Sequence, residues 1–174
     1  MDASTEKPAG RSFSMPLAGL QAGMLAALWM LAWLGAHSVW ERRGFWTPEN
    51  LLASTFYGGS AVRDSFTSHT LSGLALYLTL YSIIGSLLAL LLRLRLPPVH
   101  LLIVTVLAAV GWYYASFHGF WKVISPLVPL LHPERPMLVG HVIYGAVVAR
   151  FPRYLPRGAP LPTVEAAPTV SGPL

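Results

Sequence analysis

Charged and uncharged positions divide the chain into long blocks. No side chain from Ser12 to Trp40 carries a charge, and the apolar part of that run is 17–40. At about 1.5 Å per helical residue it is ample for a hydrocarbon core roughly 30 Å thick. A second uncharged run, Ser65–Leu92, stops at Arg93 and Arg95. The third, Leu96–Trp121, opens on Pro97-Pro98, which suits the first turn of a helix. The fourth, Pro136–Ala149, is shorter and crosses a bilayer when Arg150 snorkels to the headgroups and the helix runs on to Tyr154. The pattern predicts membrane helices at about 17–40, 66–92, 97–121 and 136–154. The second and third, joined only by Leu94 to Pro98, are expected to form a tight antiparallel hairpin.

The segments between these runs predict smaller features. Val123–Pro133 is apolar, but Pro126, Pro129 and Pro133 forbid a regular helix, so it reads as interfacial or re-entrant. In the first outer loop, Glu41–Asp64, Thr47 is placed to cap a helix begun by Pro48 and stopped at Gly58-Gly59. Its Leu51–Tyr57 stretch suggests an amphipathic helix lying on the membrane. Residues 1–14 and 156–174 read as disordered tails. The first apolar run is too long for a secretory signal's core, and Leu34 and Ala36 make a poor cleavage site. The expected fold class is an all-α integral membrane protein, a bundle of four transmembrane helices (15–155) with one short interfacial helix.

Composition strengthens this picture. Among 174 residues, 54% are hydrophobic and 11% charged, against about 25% charged in a soluble domain. Cysteine is absent, which removes disulfides and thiolate chemistry. The net charge of +5 comes without a basic cluster, so no nucleic-acid partner is expected. With both termini on one side, that side carries Lys7, Arg11, Arg93, Arg95, Arg150, Arg153 and Arg157. The other carries Arg42, Arg43, Arg63, Lys122 and Arg135. The positive-inside rule then puts both termini in the cytoplasm. Trp40, Phe45 and Trp46, with Tyr113, Tyr114, Phe117, Phe120 and Trp121, form an aromatic belt at the outer interface. Val139–Gly145, with its Gly-His-x-x-aromatic-Gly pattern, resembles a stretch of small bacterial inner-membrane proteins, which implies a plasma-membrane location.

Helices in lipid associate where small residues let backbones approach. Such positions are Gly19 and Gly23, Ser82 and Ser86, Gly85 and Ala89, Gly111 and Ala115, and Gly145 and Ala149. They suit packing within the bundle or docking of another membrane subunit, with Gly19 and Gly23 as the expected docking face.

Candidate chemistry rests on histidine. His37, His69, His118 and His141 come from four helices and fall in one outer slice of the membrane, with His132 on the same side. Only His100 lies at the cytoplasmic end. Neutral imidazole ligates haem iron and divalent metals, so these four are candidate ligands for haem b or a divalent metal. Trp29, Trp33 and His37 recur at spacing four, and the two tryptophans are expected to face protein or cofactor. No charged residue lies inside the first three runs, which speaks against a coupled transporter, and no hydrolase or phosphate-binding motif occurs. The expectation is a non-enzymatic structural or accessory subunit of a membrane assembly, with no cofactor and with lipid and other membrane proteins as partners. The alternatives are a haem or metal redox protein built on the outer histidines, and an enzyme using Glu134 or Asp64 on a lipid-linked substrate.

Overall fold

The computed structural model describes residues 14–63, 65–92 and 96–155. The expected tails, apart from Ser14, lie outside the described residues, as do Asp64, Arg93 and Arg95. All regular structure among the described residues is helical. In chain order it comprises α1 (Ser14–Trp40), α2 (Thr47–Tyr57), α3 (Ser68–Leu91), α4 (Pro98–Ala115), α5 (Trp121–Ile124), α6 (Leu127–Leu131) and α7 (Glu134–Val148). A π-helical turn, Ser116–Phe120, joins α4 to α5, and 3-10 turns follow α2 and α7. Three helices are long and apolar enough to cross a membrane: Ser14–Trp40, Ser68–Leu91 and the composite Pro98–Ile124. The 15 residues of α7 span only about 22 Å at the usual rise.

Local chemistry explains the boundaries. α1 ends in a Schellman motif, with Arg43 N–H donating to Ser38 O and Arg42 N–H to Val39 O, each at 2.9 Å. Arg42 occupies the left-handed position (φ 60°) that such a cap normally gives to glycine. Pro97 and Pro98 open α4, where Leu101 N–H donates to Pro97 O. α2 starts at Thr47, whose hydroxyl donates back to Gly44 O at 2.7 Å instead of capping the helix that follows. Asn50 then fastens α2 to its surroundings. Its amide nitrogen donates to Arg63 O and Ser65 O, and its carbonyl oxygen accepts from the Thr70 hydroxyl at 2.6 Å. Thr47–Ser54 is buried without interruption, so the first two turns of α2 are covered by protein, while Phe56 and Tyr57 at its end are exposed. α5 and α6 are single turns separated at Ser125-Pro126, as the prolines require.

α1 packs most extensively on α3 and next on α7, and α7 in turn packs on α4. The α1–α3 contact is nearly backbone to backbone. A Cβ on Gly85 would fall 2.6 Å from Gly19 O and from Gly23 Cα, and one on Gly19 2.6 Å from Gly85 O and Ala89 Cβ. Gly145 lets α7 approach the α4 backbone in the same way, since a Cβ there would fall 2.6 Å from Val106 Cα. The expected α3–α4 hairpin is not what forms. The small-residue face of α3 is taken by α1, and among the described residues α3 and α4 share almost no direct packing. Around one core, α1 and α7 lie between them, with Met30, Tyr77, Tyr81, Ala109, Tyr113, Tyr144 and Val148 at its centre.

Candidate functional site

The deepest polar group is His141, fully buried on α7. Its Nδ1–H donates to Met137 O at 2.8 Å, one turn back in the same helix. That fixes Nε2 as the acceptor, and it takes the Tyr81 hydroxyl at 2.8 Å from α3. The Tyr144 hydroxyl, one turn beyond His141, donates to Tyr81 O at 2.6 Å. Two side chains of α7 therefore hold one residue of α3 from both ends. Tyr77 stacks on Tyr81 with ring centroids 4.6 Å apart. The Tyr77 hydroxyl and the Trp112 indole N–H both neighbour the Tyr81 phenol, yet neither makes a hydrogen bond of ordinary geometry.

Beyond Tyr77, at the α2 end of this polar column, stands Glu49 of α2, 1% exposed. Its Oε2 is buried with no hydrogen-bond partner. Burial raises its pKa from 4.5 to about 7, because desolvation penalises the carboxylate. α2 reaches this depth because Gly73 of α3 lies directly against the Glu49 carbonyl, where any Cβ would collide.

The four candidate ligands are not gathered. His37 faces Glu41 at 3.8 Å across one helical turn. His69 stacks on Tyr57, centroids 4.2 Å apart, with Nδ1 buried and unpartnered. His118 is exposed in the π-helical turn and stacks on Tyr114. His118 and His141 flank one ring, that of Tyr113, at centroid distances of 6.2 and 5.3 Å. Among the described residues no three His, Cys, Asp or Glu side chains are placed to hold a metal together. Shared depth does not fix helix rotation, and rotation separates the rings. The same holds for the tryptophans: Trp29 is 59% exposed on the outer surface of α1, whereas Trp33 donates to Pro136 O at 3.0 Å. Among the small residues, Gly111 and Ala115 face outward on α4, where a Cβ on Gly111 would meet nothing within 4 Å. Gly19 and Gly23, expected as a docking face, are instead buried against α3 within the chain.

A second polar locus lies where α1 ends. The C-terminal turn of α1, the start of α2 and the α6–α7 connection enclose a small cleft lined by His37, Glu41, Arg43 and His132. His132 is buried; its Nδ1–H donates to Val128 O at 3.0 Å, and its Nε2 has no partner. Desolvation, reinforced by the nearby Arg43 charge, lowers its pKa from 6.5 to about 4.

Sequence reasoning singled out His141, as a candidate ligand, but missed its partners. Tyr77 and Tyr81, four apart in a membrane-length helix, carried a readable signal, because tyrosine favours the interface and a pair at depth implies a buried polar partner. Glu49 carried none, since a carboxylate in a loop ordinarily faces water.

No protein-family profile, curated protein or solved structure matches the chain. Fold and site together define a class: an all-helical protein with three helices able to cross a membrane, locked internally by a tyrosine–histidine network.

Proposed function

We propose that this chain is a non-enzymatic accessory subunit of a larger assembly in a bacterial inner membrane. In this reading α7 is a fourth, short crossing completed by its 3-10 turn, both termini are cytoplasmic, and α2 lies at the outer interface. The observation that carries the subunit reading is how His141 is used. The best placed of the candidate ligands has one ring nitrogen donating and the other accepting within the fold, so its imidazole serves as a strut between α3 and α7. Ligation through it would first break the Tyr81 bond.

What remains free is the outer face of α4. Gly111, where an added Cβ would meet nothing within 4 Å, and the exposed Ala115 present small residues outward, a surface that suits close approach of another helix. The proposed docking face is therefore that of α4.

The test is purification from the native membrane in mild detergent, with an optical spectrum and metal analysis. We expect a colourless, metal-free protein that co-purifies with at least one other membrane polypeptide. A stable lone monomer, or a haem band or stoichiometric metal lost in His141→Ala, would overturn the proposal.

A further inference from the structure

The outer cleft poses a hydrogen-bonding problem that the chain does not solve alone. With Nδ1–H committed to Val128 O, His132 Nε2 is a pure acceptor, and a buried acceptor without a donor costs free energy. The hydroxyls beside it are not available, because Ser38 and Thr47 both donate to Gly44 O, each at 2.7 Å. The cleft also holds one cation, Arg43, and one anion, Glu41, whose contact with His37 is long at 3.8 Å. A cleft lined by an acceptor nitrogen, a carboxylate and a guanidinium fits a ligand carrying an N–H cation close to an anion. At a headgroup interface, zwitterionic lipid is the abundant molecule of that chemistry. The cavity, about 20 Å3, admits a group of ammonium or water size.

We propose that the cleft is a phosphatidylethanolamine headgroup site, in which the primary ammonium donates to His132 Nε2 and Glu41 while the phosphate meets Arg43. The Schellman cap of α1 is what turns Arg43 back toward the cleft, since its N–H is tied to Ser38 O. The proposal rests on the reading of this end as membrane-facing. Phosphatidylcholine is the natural control, because its quaternary ammonium has the same charge but no N–H to donate.

The experiment compares thermal unfolding of the full chain in nanodiscs of phosphatidylcholine alone and of phosphatidylcholine mixed equally with phosphatidylethanolamine. A specific headgroup should raise the midpoint in the mixed bilayer by about 3 °C. Arg43→Gln and Glu41→Gln should each lose that gain while keeping the wild-type midpoint in phosphatidylcholine. Equal wild-type midpoints in the two bilayers would leave Nε2 to a water molecule and overturn the proposal. So would a gain retained by both variants, which would belong to the bulk bilayer. A chain that inserted into neither bilayer would overturn the membrane reading itself, and this site with it.

Discussion

Single residues in this chain are constrained by where their protons go. Tyr81→Phe removes the donor from His141 Nε2 and leaves that nitrogen buried and unpaired. Hydrogen bonds between membrane helices contribute about 0.6–2 kcal/mol, and a loss in that range is expected from unfolding titrations in mixed micelles. Arg42 gives the opposite sign. It holds a left-handed φ of 60° that glycine adopts freely, so Arg42→Gly should stabilise by about 0.5–1 kcal/mol in the same assay. The two displaced pKa values oppose one another. Glu49 titrates near 7 when folded and near 4.5 when exposed, so its contribution is complete below 4.5 and is lost as pH rises through about 7. His132 titrates near 4 when folded and near 6.5 when exposed, so its contribution is complete above 6.5 and is lost as pH falls through about 4. Between pH 4.5 and 6.5 the slopes cancel, and the wild-type stability should be nearly flat. In Glu49→Gln only the histidine limb remains, so stability should climb with pH by up to about 1.4 kcal/mol per unit across that window. A wild type that climbed as steeply as this variant would show that Glu49 is ionised in the fold.

At the scale of helices, small residues decide which pairs meet. Gly85 has the α1 backbone against it on the Gly19–Gly23 face, so Gly85→Leu should force α1 and α3 apart and cost several kcal/mol, well above the typical mutational effect of about 1 kcal/mol. Gly111→Leu points into open space and should leave the unfolding midpoint unchanged. If both variants unfolded alike, the packing order described here would be wrong. The helices themselves were legible from the sequence because an uncharged run of membrane length leaves little alternative. Pairing was not. The short Leu94–Pro98 link suggested that α3 and α4 pack together, but a connection sets distance at one end only, and the glycine face of α3 fits α1. The burial of α2 was hidden for a related reason. Its sequence alternates enough to suit a membrane surface, while the contacts that enclose it, through Asn50 and Gly73, are made to residues far along the chain. The histidines show the same limit, since depth follows from sequence position but facing does not.

For the whole molecule, the reading of a membrane-embedded subunit joins an interior braced by a tyrosine–histidine network to an exposed small-residue face on α4. Four crossings with cytoplasmic termini predict that a reporter active only outside the cytoplasm stays silent when fused after Arg157. Activity there would contradict four crossings from a cytoplasmic N-terminus. The central claim concerns the face of α4, and site-specific photo-crosslinking in the native membrane tests it most directly. A photoreactive residue at Ala115, exposed on α4, is compared with one at Ala75, exposed on α3. We predict a discrete crosslink to another polypeptide from position 115 and only lipid adducts from position 75. Lipid adducts alone from both positions would contradict the account.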